Sequence, residues 1–387
     1  MIKKIAIIGS TGSIGQSTIK IIKENKKDFK ILFLSTNNNV HKIYKQAKEL
    51  NVKNVIINNR LKYFKNIKKF KKSKIKVYFD HTNIKKIVKG KLDYCMCAIS
   101  GLEGLTPTLD AIKSSKVVGI ANKESIICGW NLIEKNLNKY KTRFIPIDSE
   151  HFSIWSLLKG SNKKNIERIF ITASGGPFLN TKINNFKKIT PKLAIKHPNW
   201  NMGKKISVDS ATLMNKVFEV IEAKKIFNIN LKNFKILVHP KSYVHAIVKF
   251  RNGITKLLIH DTDMKIPIIN SIYEEKNFNS NSGKLNLNSL NDLNFSEVNE
   301  KKFPSIKILK SLPNNNSLYE TVIVSANDEL VNLFLIKKIK FLDIVNKLSL
   351  FIKRKEFTKY KYKYPKNSGQ IKNLARYVRL KVNSLCI

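Results

Sequence analysis

Two stretches of this chain gather side chains able to do chemistry. One is Asp148-Ser149-Glu150-His151; the other runs from His197 to Glu219 and holds Asn199, Trp200, Gly203, Ser210, Asn215 and Lys216 on the way. Asp148, Glu150 and Glu219 are hard oxygen donors of the kind that hold Mg²⁺ or Mn²⁺. Hydroxyls, an amide, an ammonium and an imidazole form a donor set for a dianion such as phosphate, which a carboxylate would repel. A lone D-x-E pair is common on protein surfaces, so the case rests on the two stretches acting together. Asp148 and Glu150 follow the apolar run Phe144 to Ile147. They are expected in an extended segment, where residues i and i+2 point the same way. Glu219 is expected on a helix that begins after Ser210, with Glu222 one turn beyond as a supporting hydrogen-bond partner or as a solvated helix residue.

A second kind of site opens the chain. Gly9, Gly12 and Gly15 follow the apolar run Ile5 to Ile8 and precede the helical spacing of Ile14, Thr18, Ile21 and Ile22. Such a loop offers backbone N–H groups and a helix N-terminus to a pyrophosphate. The spacing is G-x-x-G-x-x-G, which also suits an ordinary tight strand-to-helix turn, and the strand before and helix after favour the nucleotide. After the second apolar run, Ser35-Thr36-Asn37-Asn38-Asn39 carries no acidic residue. That suits NADP better than NAD, since an Asp or Glu there would repel a 2′-phosphate. Lys123 follows the run Val117 to Ile120, at the strand end where open α/β sheets bind ligands; the bland reading is one more surface lysine.

Taken together these motifs resemble one family, 1-deoxy-D-xylulose 5-phosphate reductoisomerase. The resemblance is carried by Gly9-Ser-Thr-Gly-Ser-Ile-Gly15, Ala121-Asn-Lys-Glu-Ser125, the Asp148 cluster, Ser174-Gly-Gly-Pro-Phe178, the His197 to Glu219 run and His239-Pro-Lys-Ser-Tyr-Val-His245. They stand in family order, and the last third of the chain matches loosely. The resemblance implies an NADPH- and divalent-metal-dependent enzyme that rearranges and reduces 1-deoxy-D-xylulose 5-phosphate to 2-C-methyl-D-erythritol 4-phosphate in non-mevalonate isoprenoid biosynthesis. It also implies a homodimer.

Residue by residue, it implies that Asp148, Glu150 and Glu219 bind Mg²⁺ or Mn²⁺ and, with Lys123, are catalytic. Thr11, Gly12, Ser13 and Ile14 line the cofactor phosphates, Asn37, Asn38 and Asn39 the ribose, and Asn122, Glu124 and Gly203 other parts of NADPH. Ser174, His197, Ser210, Asn215 and Lys216 hold the substrate phosphate, Ser149 and Lys123 the sugar hydroxyls, and Trp200 closes over the site. Glu150 and Glu219 touch substrate as well as metal. His239 and His245 support the site, and Met264 forms a wall. Four positions depart from the family pattern, among them Phe218, which stands where a Leu-like residue is common. Asn37 replaces a glycine, which Asn tolerates because it visits positive φ more readily than most residues. Asn38 stands where a basic residue often sits, so His41 or Lys42 would supply charge instead. Val217 stands where a small residue is common.

The elements that must position these groups are legible in the apolar pattern. Short runs at Ile5 to Ile8, Ile31 to Leu34, Val55 to Ile57, Ile75 to Phe79, Tyr94 to Ile99, Val117 to Ile120 and Phe144 to Ile147 alternate with helical spacing. That alternation predicts a doubly wound, Rossmann-like parallel sheet. The expected organisation is a cofactor domain over 1–147, an α/β catalytic domain over 148–276, an Asn/Ser/Gly-rich linker over 277–300 and a C-terminal helical domain over 301–387.

The 387 residues, 42% of them hydrophobic, suffice for two or three cores. The net charge of +46 would ordinarily suggest a nucleic-acid partner. Only seven of the 73 basic residues are arginine, the side chain favoured for bidentate phosphate and base contacts, and the lysines are spread along the chain. Solvated surface charge is the preferred reading, with a basic nucleic-acid-binding protein as the rival. Cys95, Cys97, Cys128 and Cys386 show no zinc or disulfide spacing. None sits in a polar motif suited to a nucleophile, which disfavours the other rival, an NADP-dependent semialdehyde dehydrogenase. No run approaches the ~18 apolar residues of a membrane span. With no leader pattern at the N-terminus, the chain is expected in the cytoplasm.

Overall fold

The computed structural model describes residues 2–200, 202–274 and 287–386. Seven strands, β1 (Lys3–Ile8), β2 (Phe29–Thr36), β3 (Asn54–Ile57), β4 (Lys76–Phe79), β5 (Tyr94–Cys97), β6 (Val117–Ile120) and β7 (Arg143–Pro146), coincide with the seven apolar runs. They form one parallel sheet in the order β4-β3-β2-β1-β5-β6-β7. Strands buried on both faces need near-continuous apolar sequence, and the last four residues of β1 and all of β5 and β6 are buried. Helices α1 (Ser13–Glu24), α2 (Val40–Glu49), α3 (Arg60–Lys72), α4 (Ile84–Ile87), α5 (Leu105–Lys113) and α6 (Lys123–Tyr140) make the crossovers. The chain marches outward from β1 to β4, then returns to pair β5 with the other side of β1. Strand order therefore reverses at β1/β5, the switch point at which open α/β sheets bind ligands.

Two compact units account for the chain. The first comprises Met1–Ser125, Asn131–Asp148 and a segment from Asp263; the second holds Ile126–Trp130, Ser149–Thr262 and the C-terminal part. The second is built on a mixed sheet, β11-β10-β8-β9-β12, of β8 (Ile166–Ala173), β9 (Phe234–Val238), β10 (Val244–Phe250), β11 (Thr255–Ile259) and β12 (Ser296–Glu297). Helices α7 (Ser149–Leu157), α8 (Pro191–Ala194), α9 (Lys204–Ala211) and α10 (Met214–Phe227) belong to it. Ile154 of α7 and Val220, Ala223 and Phe227 of α10 close a core over Ile169, Ile171, Ala246 and Val248 of the sheet.

Helix α11 (Lys265–Tyr273) rejoins the first unit, where Tyr94 and Ser271 share a 2.7 Å hydrogen bond. The stretch expected as a linker falls partly outside the described residues. Where described, it carries α12 (Leu287–Asn291) and β12, whose Ser296 and Glu297 pair with Val238 and Leu237. Beyond it α13 (Tyr319–Leu335), α14 (Phe341–Phe351), α15 (Lys355–Thr358) and α16 (Ser368–Cys386) form the helical part of the second unit. Val331, Phe334, Ile344, Leu348, Phe351, Leu374 and Val378 are buried among these helices. No helix among the described residues is long and apolar enough to cross a membrane.

Candidate active site

In the first unit the glycine loop is shaped by close backbone approach. A Cβ on Gly9, at φ +84, would lie 2.8 Å from the Ala98 carbonyl oxygen, and one on Gly15 would lie 2.6 Å from Ser10 Cα. A side chain on Gly12 would meet no protein atom closer than 3.5 Å. Gly9 and Gly15 thus serve the fold. Gly12, which caps α1, instead leaves the N-terminal approach to Ser13 and Ile14 open. Thr11 shares a 2.8 Å hydrogen bond with Thr36, tying the loop to the end of β2. Gly9 N–H donates to Ser35 Oγ at 3.0 Å, and Ser35 lies 3.1 Å from His81 Nε2. Burial pulls His81 down to about 4, so its ring is neutral near pH 7.

Asn37, Asn38 and Asn39 are exposed at the end of β2. Asn37 is not among the described residues with positive φ, so its side chain needs no left-handed backbone, contrary to the reason expected for its tolerance. Asn39 caps α2 by accepting from Lys42 N–H, and Lys42 Nζ donates to Gln16 Oε1 at 2.6 Å. The cation that reaches residue 38 is Lys62 of α3, absent from the expectation: its Nζ donates to the Asn38 carbonyl at 2.9 Å. Sequence did contain one signal for it, a basic residue just past the end of a parallel strand adjoining β2.

Asn122 caps α6 through Ser125 N–H, while its amide donates to the Ile99 and Gly101 carbonyls. Lys123 and Glu124, both buried, stand in the first turn that this cap fixes. Lys123 Nζ lies 3.3 Å from Asp148 Oδ2. Met264 precedes α11 as its cap residue.

Helix α7 already begins at Ser149, so Glu150 is in its first turn and the expected extended D-x-E is corrected. One turn of helix replaces the pleat because a strand-to-helix junction can bring both carboxylates round without the i, i+2 alternation. Asp148, Glu150 and Glu219 each offer an oxygen within 4.8 Å of the others. On α10 the i, i+3 and i, i+4 relations stack Lys216 and Asn215 against Glu219. Lys216 Nζ lies 2.7 Å from Glu219 and also bonds Glu150, and the Asn215 amide donates to Glu219. Ser149 Oγ donates to Glu150 at 2.5 Å. His151 Nε2 donates to the Glu219 carbonyl at 2.8 Å, and its Nδ1 lies 3.4 Å from Glu222. Glu222 is buried and supports Glu219 through His151. Val217, fully buried, leaves α10 regular from Met214 to Phe227.

The anion-type donors converge by backbone geometry. A Cβ on Gly176, at φ +66, would lie 2.7 Å from the Ser210 carbonyl, so this glycine lets the Ser174 loop lie against the end of α9. Leu213, at φ +57, turns the chain from α9 into α10, linking Ser210 to Asn215 and Lys216. Gly203 caps α9. His197 Nδ1 accepts from the Asn199 and Trp200 amides at 3.1 and 3.0 Å. Its Nε2 therefore carries the hydrogen and donates to Ser174 Oγ at 3.1 Å. Ser174 Oγ also accepts from Gly176 N–H, leaving its own hydrogen for a ligand. Burial first, then the Lys216 charge, lower His197 to about 4. Trp200 packs edge-on against His245, which in turn stacks on His260 at 3.7 Å; His239 stacks on Phe295. Asp209 was missed by sequence reasoning because its partners, Lys205 and Asn327, come from α9 itself and from α13.

Family models cover most of the chain. Residues 5–129 match the model described as 1-deoxy-D-xylulose 5-phosphate reductoisomerase, and 144–227 and 259–380 match two of its C-terminal domain models. The reductoisomerase of Pelagibacter ubique (strain HTCC1062) is 56% identical over all 387 residues, covering 100% of both chains. The chain belongs to the 1-deoxy-D-xylulose 5-phosphate reductoisomerase family. The family member of Wolbachia pipientis wMel is 39% identical, over 89% of this chain and 88% of its own. The reductoisomerase of Zymomonas mobilis, solved with NADPH, superposes with a TM-score of 0.89 at 31% identity, covering 100% of this chain and 99% of its own. Another, solved with NADPH, fosmidomycin and magnesium, gives 0.91 at 28% identity, covering 100% and 98%. Membership accounts for the doubly wound sheet. It leaves neither rival reading in place: Cys95, Cys97 and Cys128 are buried, and burial pushes the Cys128 thiol up, away from a nucleophile's range.

Proposed function

We propose that this chain converts 1-deoxy-D-xylulose 5-phosphate to 2-C-methyl-D-erythritol 4-phosphate with NADPH and a divalent metal, in non-mevalonate isoprenoid biosynthesis. The observation that carries this is the Asp148, Glu150 and Glu219 cluster beside a set of hydroxyl, amide and ammonium donors, in a chain of this family. The all-oxygen donor set fits Mg²⁺ or Mn²⁺, and the open approach at Gly12 fits a dinucleotide phosphate. When bound, the metal would supply Lewis-acid stabilisation of the substrate's oxygens, and NADPH the hydride for the reduction.

The chain's own groups take these roles. Asp148, Glu150 and Glu219 hold the metal; His151 and Glu222 fix the last of them. Ser174, His197, Ser210, Asn215 and Lys216 hold the phosphate, whose binding orients the reacting carbons at a distance. A neutral His197 donates from Nε2 to Ser174, which turns its own hydroxyl hydrogen toward the phosphate. Lys123 and Ser149 hold sugar hydroxyls, and Trp200 excludes water from the carbonyl. Thr11, Gly12, Ser13 and Ile14 receive the pyrophosphate, Asn37, Asn38 and Asn39 the adenosine ribose, and Asn122, Glu124 and Gly203 the remainder of the cofactor. The C-terminal helices braced on α9 through Asn327 hold the phosphate group's helix in place. A homodimer acting in the cytoplasm completes the reading, supported by family membership.

The test is NADPH oxidation by purified protein with 1-deoxy-D-xylulose 5-phosphate, with and without Mn²⁺. Metal-dependent consumption is expected. A folded sample that binds NADPH yet leaves this substrate untouched would overturn the assignment.

A further inference from the structure

The loop Asn37-Asn38-Asn39 at the end of β2 bears no charge, yet an NADP site must place a cation near the ribose that this part of the fold reads. Accepting the NADPH reading above, we infer that Lys62 at the start of α3, seconded by Lys42 of α2, is the determinant that selects the 2′-phosphate in this chain.

Lys62 is held at that loop from both of its ends. Its backbone N–H is capped by Asn59 Oδ1 at 3.0 Å, and the Asn59 amide donates to Asn38 Oδ1 at 2.9 Å. The Lys62 ammonium donates to the Asn38 carbonyl at 2.9 Å, an oxygen that also accepts Val40 N–H at 3.0 Å. Asn38 is thus clasped by the α3 cap and by the lysine three residues beyond it. A lysine ammonium has three N–H donors, so the bond to Asn38 leaves others to turn toward an anion at the exposed loop.

Lys42 flanks the same loop from the α2 side, its Nζ on Gln16 of α1, the helix that starts at the glycine loop. The first turns of α1, α2 and α3 contain no acidic residue. The nearer arginine, Arg60, lies over the Phe64 ring, and the pairing with residue 38 belongs to Lys62. A dianion at Asn37–Asn39 would therefore meet two ammonium groups and no opposing carboxylate from these helix starts. An uncharged ribose hydroxyl would gain little from either.

The experiment measures equilibrium dissociation constants of NADPH, NADH, 2′,5′-ADP and AMP for the full chain and for Lys62→Gln, Lys62→Arg and Lys42→Gln. Lys62 is exposed, so these variants should fold, and thermal melts check this. Lys62→Gln is expected to weaken NADPH and 2′,5′-ADP roughly tenfold or more, the range of a lost charge-assisted hydrogen bond, and to leave NADH and AMP within about twofold. Lys62→Arg should retain most of the preference, and Lys42→Gln should show a smaller, same-signed effect. Equal weakening of NADPH and NADH by Lys62→Gln would mean that Lys62 merely shapes the loop, and unchanged NADPH binding would remove it altogether; either overturns the inference. A parent chain that binds neither NADPH nor 2′,5′-ADP would sink the cofactor reading itself, a result distinct from both.

Discussion

The buried carboxylate of Asp209 accepts a 2.7 Å hydrogen bond from the Asn327 amide, joining α9 to α13 across more than a hundred residues of sequence. Lys205 bridges the same Asp209, at 3.0 Å, and Asp328, at 2.9 Å. The next residue after Asp209 is Ser210, so the C-terminal helices reach the proposed phosphate group through one peptide unit. Asn327→Leu should cost about 1–3 kcal/mol by leaving a buried carboxylate short of a partner. It should also raise KM for 1-deoxy-D-xylulose 5-phosphate more than it lowers kcat. Urea unfolding and steady-state kinetics measure the two; an unchanged KM would confine the contact to stability.

Glu219 meets Lys216, Asn215 and, through its backbone carbonyl, His151. Glu219→Gln keeps the shape and removes the charge. Turnover should fall at least about a hundredfold, beyond what loss of an outer partner alone produces, with NADPH affinity nearly unchanged. A normal rate at saturating Mn²⁺ would take Glu219 out of the metal site.

Ser210 is buried at the end of α9, against the Gly176 turn. Ser210→Ala should act on affinity, raising KM by roughly tenfold for one hydrogen bond to a charged group, with kcat little altered. A normal KM would argue that the phosphate lies elsewhere.

His197 is held neutral by burial and by Lys216, with its Nδ1 fixed as acceptor. An NMR titration should place its midpoint near pH 4, about two units or more below an ordinary histidine. A midpoint near 6.5 would mean that the Lys216 charge and burial are not felt.

His81 is also drawn down to about 4, by burial, although Asp80 opposes this. Its folded pKa lies below its unfolded one, so the unfolded state binds the extra proton first as pH falls. Stability should therefore decline from about pH 6.5 to pH 4 and lose no more on this account below that, a total of order 3 kcal/mol. His81→Gln should flatten that slope in denaturant melts taken across the window; an equally steep slope in the variant would assign it to other groups.

Much of the scaffold was legible along the chain. The seven apolar runs became the parallel sheet because strands covered on both faces cannot be written otherwise. The strand-glycine-helix order at Gly9, Gly12 and Gly15 was readable too, but that Gly9 is needed for the close approach of Ala98 was not. That Asp148, Glu150 and Glu219 meet was readable from residue type and from the family pattern. Tertiary structure alone decided the rest. Where α7 begins, and hence how Asp148 and Glu150 are presented, depends on a junction that periodicity does not mark. Lys62 beside Asn38, Asn327 on Asp209 and β12 on β9 pair residues far apart in sequence. A sequence displays local spacing; which distant partners meet is settled only when the whole chain has buried its cores.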